Sequence, residues 1–216
     1  MKLKILYDNE AKAGFRSGWG FSCLVGENLL FDTGADLETL LFNMRRLNVK
    51  LDRIDKVFFS HEHGDHIGGF QIVGLLGEVE AFVLRSFSKR FKSALSSYTN
   101  VRLREVSKPQ EISAGMFTTG EQGFFIKEQS LIVKTDRGIS VVTGCSHPGL
   151  EKILGFASRF GNVYGVVGGF HGFHKLEALR GVKLIVPCHC TVRKREILTL
   201  YPDSSIRCSA GCEIEV

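Results

Sequence analysis

The 216-residue chain is 44% hydrophobic and 24% charged, a balance that suits one soluble domain with its own core and excludes disordered, fibrous and membrane-spanning compositions. Its formal charge of +5 is modest, and the basic groups Lys89-Arg90-Phe91-Lys92 and Arg193-Lys194-Arg195 read as solvated helix faces, so charge gives no reason to expect a nucleic-acid partner. The N-terminus, MKLKILYDNE, lacks the pattern of a secretory signal; a cytoplasmic address without membrane association is expected, and the six cysteines then read as thiols or metal ligands before disulfides.

In chain order, KLKILY (2–7), GFSCLV (20–25) and NLLFDTG (28–34) predict an opening set of antiparallel strands. DLETLLFNMRRL (36–47) places Leu37, Leu40, Leu41, Met44 and Leu47 at helical spacing, with Asp36 as N-cap. DKVFFS (55–60) predicts a strand, IGGFQIVGLLG (67–77) a short helix and AFVLR (81–85) another strand. Residues 86–128 are the least legible: FSKRFKSAL reads as helical, VRLREV and GMFTTG as extended, EQGFF as loop.

SLIVKTDRGISVVTG (130–144) is a clear hairpin, two β-branched runs joined at Thr135-Asp136-Arg137-Gly138. HPGLEKILGFASRF (147–160) predicts a helix with Pro148 near its start, NVYGVVGG (162–169) a strand, and HKLEALRG (174–181) a short helix stopped by Gly181. VKLIVP (182–187) predicts a buried strand and TVRKREILTLY (191–201) a final helix. The pattern suits two sheets flanked by helices, and periodicity alone also allows one three-layer α/β sheet.

The chemistry concentrates in FFSHEHGDHIGG (58–69), where His61, His63, Asp65 and His66 follow a strand at relative positions 1, 3, 5 and 6. A tight glycine-containing loop can turn these donors toward two neighbouring points, whereas a helix would spread them around its circumference. Two metals are therefore more natural than one. His147, His171 and His189 each lie just beyond a predicted strand, where a site can be assembled from distant parts of the chain; only His174 falls within a predicted helix. Four cysteines, Cys188, Cys190, Cys208 and Cys212, crowd the last 30 residues and allow buried thiols, disulfides or a structural zinc site, with buried thiols favoured.

SHEHGDHIGG resembles the signature of the metallo-β-lactamase superfamily, and LLFDTG (29–34) resembles its first motif, a strand ending in aspartate. TGCSHPG (143–149), GGFH (168–171) and PCHCT (187–191) are similar to the branch of dihydropterin ribofuranosyl-aminobenzene phosphate synthase-like proteins. The resemblance runs from Leu29 to about Gly211. It implies an α+β fold, an αββα four-layer sandwich forming a single domain over residues 1–216, with a binuclear metal site at one edge. Two divalent ions are the implied cofactors, zinc first, with manganese or iron as alternatives.

By motif, His61 and His63 bind the first ion with His147, and Asp65 and His66 bind the second with His189. The family's bridging aspartate is replaced by Cys145, which leaves three alternatives: a thiolate ligand, His171 in its place, or a loosely held second ion. The implied chemistry is a metal-dependent hydrolase that turns a metal-bound hydroxide, oriented by Asp65, on a small phosphorylated or heterocyclic metabolite. Asp32 reads either as the acceptor that fixes a ligating histidine or as a turn aspartate capping the next segment. Lys12, Arg16 and Arg193 are candidate partners for a substrate anion.

Two other functions compete: a pterin-type synthase using the metals as Lewis acids, and an iron-binding redox protein. The expected partner is a small molecule; the sequence leaves the oligomeric state open. AKAGFRSGWG (11–20) is expected to be a mobile loop, with Trp19 packed in the core or stacked on a substrate ring.

Overall fold

The computed structural model describes residues 1–216, whose contacts divide into two compact units: Met1–Ser107 with Ser209–Glu215, and Lys108–Cys208 with Val216. No helix is long and apolar enough to cross a membrane.

The first unit carries a seven-stranded sheet. Strands β1 (Lys2–Tyr7), β2 (Ser22–Val25) and β3 (Leu29–Phe31) pair antiparallel, the opening set that the sequence predicts. Helix α1 (Leu37–Arg46) follows, and Asp36 caps it by accepting a 2.7 Å hydrogen bond from the Thr39 amide. Asn48, in the left-handed region at φ 52°, ends it. Strands β4 (Lys56–Phe58), β5 (Val79–Leu84) and β6 (Val101–Val106) continue the sheet in parallel; the mostly apolar, buried β4 and β5 suit parallel pairing, and the charged residues of β6, VRLREV, suit its place at the sheet's edge. Between them lie the one-turn helix α2 (Gly64–Ile67) and helix α3 (Lys89–Ser96). A C-terminal strand, Glu213–Glu215, pairs with the free edge of β1.

The second unit carries a six-stranded sheet. Strands β7 (Gln110–Ser113), β8 (Met116–Thr118), β9 (Leu131–Thr135) and β10 (Gly138–Thr143) form an antiparallel meander, with the β9–β10 turn where the sequence places it. Helix α4 (Leu150–Ala157) then leads to β11 (Val163–Gly169) and β12 (Leu184–Cys188), both parallel to β10, and helix α5 (Lys194–Leu200) follows. Three C-terminal strand ends thus share one sheet edge, the position from which loops of α/β sheets carry sites. Beneath them Ile132, Val141, Leu150, Ile153, Val166 and Ile185 form the unit's buried core.

Two predicted helices are single stretches of 3-10 turn, Phe70–Leu75 and Leu176–Leu179. Gly68, Gly69, Gly74 and Gly77 crowd the first, and each glycine costs a helix about 1 kcal/mol relative to alanine. His174 lies before the second of these turns, outside it. The segment at 8–20 is tied down: buried Asn43 donates to the carbonyls of Leu6 and Arg16 at 2.8 Å each and accepts from the Arg16 amide at 2.9 Å. Trp19 is 63% exposed, which overturns its expected place in the core: the turns at Gly18 and Gly20 close tightly against Tyr7 and leave no room for the indole beneath them.

Gly168 shows why β11 ends in paired glycines. Its φ is +132°, and a Cβ there would lie 1.9 Å from the Thr143 carbonyl oxygen on β10. Gly168→Ala should therefore destabilise the protein by about 2 kcal/mol or more, read from urea denaturation. Parent-like stability would show that β10 and β11 can separate freely.

Candidate metal centre

In the first unit the site is built on the ends of β3 and β4. Asp32, immediately after β3, is fully buried and sits at φ 51°. Its Oδ1 accepts from the Ser60 amide at 2.7 Å, and its Oδ2 accepts from Ser60 Oγ and faces His66 Nδ1, each at 2.7 Å. Next to it, the Thr33 amide and hydroxyl both donate to the His66 carbonyl, at 2.7 and 3.0 Å. Two consecutive residues thus clamp the histidine motif at its first residue and its last.

The clamp sets how the donors point. Ser60 Oγ lies 2.9 Å from His61 Nδ1, and His61 Nε2 lies 3.1 Å from His63 Nδ1. His61 and His66 stack in a tilted arrangement with ring centroids 4.2 Å apart. Donor atoms of His61 and His63, of His61 and His66, and of Asp65 and His66 fall within 4.8 Å of one another, so all four motif residues are brought together. The first two stand on a loop; Asp65 and His66 stand on the single turn α2, with His63 at its N-cap. That corrects the expectation of an all-loop motif, and an acidic side chain in a first helical turn is favoured by the exposed amides there. Glu62 points elsewhere: its carboxylate accepts from the amide and hydroxyl of Ser88, the N-cap of α3.

In the second unit the site residues lie just beyond β10, β11 and β12, as the strand-end reading requires. Glu128, almost wholly buried before β9, organises the first of these loops. Its Oε1 accepts from the amides of Gly144, Cys145 and Ser146 at 3.1, 2.9 and 2.9 Å and from Thr143 Oγ1 at 3.1 Å. Its Oε2 accepts from the His147 amide and faces His147 Nδ1, both at 2.9 Å. The sequence reading missed this residue; its one trace is an acidic side chain three residues before an apolar run, and nothing in the spacing ties it to His147.

His147 and His171 approach with ring centroids 5.2 Å apart. Cys145, His189 and Cys190 bring their donor atoms within 4.8 Å of one another, so Cys145 stands in a cluster of one imidazole and two thiols. The Cys145 and Cys190 sulfurs are 3.2 Å apart. Hydrogen bonding from Cys145, and then from His171, favours the Cys190 thiolate over the opposing effect of burial and lowers its pKa from 9.0 to about 7. The six cysteines form no disulfide, and the sulfurs of buried Cys188 and Cys208 lie within 4.8 Å of each other.

Five non-glycine residues have positive φ, and Asp32, Ser146, His171 and His189 are four of them. Such conformations cost about 1–3 kcal/mol each and persist where surroundings over-determine them, commonly at functional sites. The donor chemistry fits a divalent ion. His66 and His147 each have Nδ1 held by a buried carboxylate, which fixes the ring and leaves Nε2 as the nitrogen that could bind an ion, the arrangement typical of metal-binding histidines. Of the candidate anion partners, Arg16 is engaged with Glu38 and lies over the Phe42 ring, Arg193 pairs with Glu196, and Lys12 is exposed.

Comparison with known proteins finds a family model described as Anti-Pycsar protein Apyc1 matching residues 12–86. A 7,8-dihydropterin-6-methyl-4-(β-D-ribofuranosyl)-aminobenzene-5'-phosphate synthase of Methanocaldococcus jannaschii is 29% identical over 231 residues, covering 80% of this chain and 78% of the relative. Among solved structures, Tm1679, a metal-dependent hydrolase of the β-lactamase superfamily, matches with TM-score 0.85 and 30% identity over 100% of this chain and 99% of its own. YhfI from Bacillus subtilis, a metallo-β-lactamase fold protein, matches with TM-score 0.72 at 14% identity over 99% of each chain, a likeness of fold alone.

Glu128→Gln should cost about 2–4 kcal/mol in urea denaturation, because buried amides lose a charged acceptor, and weaken metal affinity by about 10–100-fold. No change in either would remove Glu128 from the site. In metal-free protein, iodoacetamide should alkylate Cys190 with a pH midpoint near 7, the thiolate forming above that pH and the less reactive thiol below it. A midpoint near the ordinary 9.0 would show that Cys145 and His171 do not stabilise the anion.

Proposed function

The chain belongs to the metallo-β-lactamase superfamily, with its α+β sandwich fold, and on that premise we propose that it is a metal-dependent hydrolase of a small phosphorylated or heterocyclic metabolite. The observation that carries the reading is the pair of histidines, His66 and His147, each oriented by a buried carboxylate. A fold likeness by itself would leave the chemistry open, whereas imidazoles whose Nδ1 is held by a buried carboxylate are typical of metal-binding histidines.

The ligands we propose are His61, His63, Asp65, His66, His147 and His189, for two divalent ions, zinc before manganese or iron. Such ions, when bound, lower the pKa of water and polarise the bond to be broken. The chain's own residues do the positioning. Asp32 and Glu128 hold Nδ1 of His66 and His147, and Ser60 holds Nδ1 of His61. Asp65, half-buried on α2, orients the attacking water and accepts its proton.

A second reading, a synthase that joins a pterin to an aminobenzene derivative, is favoured by the name of the Methanocaldococcus jannaschii relative. It uses the same ligands and differs in the bond formed. Product analysis separates the two: a hydrolase consumes one substrate and water, a synthase consumes two organic substrates.

His63→Ala should lower kcat/KM by about 100-fold or more, beyond the 10–100-fold attached to outer partners, while leaving the far-ultraviolet circular dichroism unchanged. Elemental analysis of the same variant should show less metal per chain than the parent. Parent-like turnover together with parent-like metal content would overturn the proposal.

A further inference from the structure

Beside His147, and wholly within the second unit, lies a cavity of about 500 Å³ lined by residues 122–126 with His147, Pro148 and Lys152. Its volume lies within the range of small-molecule sites, roughly 300–1,000 Å³. One wall is a short loop whose base is a two-bond bridge: Gln122 N donates to the Glu128 carbonyl at 2.9 Å, and Glu128 N donates to the Gln122 carbonyl at 3.0 Å. Gly123 turns the chain at φ +89°, where a Cβ would lie 2.4 Å from the Ile126 carbonyl oxygen, and Lys127 Nζ donates to the Gly123 carbonyl at 2.7 Å. The loop is therefore closed on itself.

At its tip Phe124 is 82% exposed and Phe125 is 94% exposed, their rings edge-to-face with centroids 5.0 Å apart. They are the two most exposed large hydrophobic residues of the chain. Two adjacent bare aromatic rings beside a cavity are the mark of a binding surface, because water is a poor neighbour for both faces and no internal packing explains them. Across the cavity, Lys152 on α4 supplies a cation. The bridge residue Glu128 also orients His147, so the aromatic tip and the candidate ligand are built on one backbone position.

We propose that residues 122–127 form a recognition loop in which a flat aromatic or heteroaromatic ring of the substrate stacks on the face of one of the perpendicular rings of Phe124 and Phe125 and meets the other edge-on, with Lys152 pairing an anionic group on that ring. The inference rests on the reading of His147 as a metal ligand, since that reading makes this cavity part of the reaction site. The substrate ring lies against one phenyl face and the edge of the other while the anionic end is read by charge. A non-planar molecule of the same charge keeps the ion pair and loses the stacking.

The test is fluorescence titration of pterin-6-carboxylate into the full chain, loaded with zinc, with cyclohexanecarboxylate as a non-planar competitor of equal charge. The parent should bind the pterin; the Phe124→Ala/Phe125→Ala variant should bind it at least tenfold more weakly, with metal content unchanged; and Lys152→Ala should weaken binding and flatten its salt dependence. Cyclohexanecarboxylate should compete poorly. Equal affinity in the double variant, equal competition by the alicyclic acid, or no binding to the parent would each overturn the proposal, and so would a parallel fall in metal content and probe affinity. Metal content and probe affinity are separate readouts. A parent that holds no metal sinks the hydrolase reading, whereas the recognition loop fails on the probe alone.

Discussion

The first unit depends on one buried carboxylate. Asp32 is inaccessible to water, yet it accepts hydrogen bonds from two groups of Ser60 and holds His66, the first and last residues of SHEHGDH. An unpaired carboxylate in such a place would be untenable, and breaking a buried pair by removing one partner costs about 3–5 kcal/mol. The motif and the aspartate are therefore mutually required. Without Asp32 the ends of the motif have no common anchor, and without Ser60 and His66 the charge cannot stay buried. The left-handed φ of Asp32 belongs to the same arrangement, because it turns the chain abruptly out of β3 and directs the carboxylate back toward the end of β4.

The second unit solves an equivalent problem with a longer side chain. Glu128 precedes its strand, whereas Asp32 follows one, and it gathers the four successive amides of residues 144–147 around a single carboxylate. Converging amides make a concave positive surface, and an anion at its centre fixes a loop that regular secondary structure could not hold. In both units the carboxylate also holds a histidine Nδ1. Loop conformation and ring orientation thus have one cause, so a substitution at either carboxylate acts on stability and on the donor set together.

The legible part of the molecule was the part governed by local rules. Alternation and β-branched runs located the strands, Asp36 announced α1, and Thr135-Asp136-Arg137-Gly138 marked its turn. The dense spacing of His61, His63, Asp65 and His66 exposed half of the donor set, because four donors within six positions have few other uses. Glu128 escaped because its partners lie 15 to 19 residues further along, and no local pattern connects an acidic residue to amides that a turn will later align. Trp19 was misplaced for a related reason. A large aromatic side chain suggests a core by its type alone, while its fate is set by Tyr7 packing against the backbone at Gly18. The 3-10 turns were likewise hidden, since short amphipathic runs rich in glycine fit several helical forms.

Cys145, which the resemblance to the superfamily sets in the place of a bridging aspartate, is best understood from the company it keeps. A lone thiol at position 145 would be a weak replacement for a carboxylate, being neutral near pH 7 in its unperturbed form. Cys145 instead sits 3.2 Å from Cys190, whose anion is favoured by that contact and by His171, and both lie beside His189. The negative charge that the aspartate would have carried can thus reside on sulfur, spread over a hydrogen-bonded pair. Sulfur donors are softer than carboxylate oxygens and shift the preference of a site toward zinc or iron and away from manganese or magnesium. Gly169 belongs to the same arrangement: a Cβ there would lie 2.7 Å from the Cys190 sulfur, so the close of β11 leaves room for the second thiol only because that position carries no side chain.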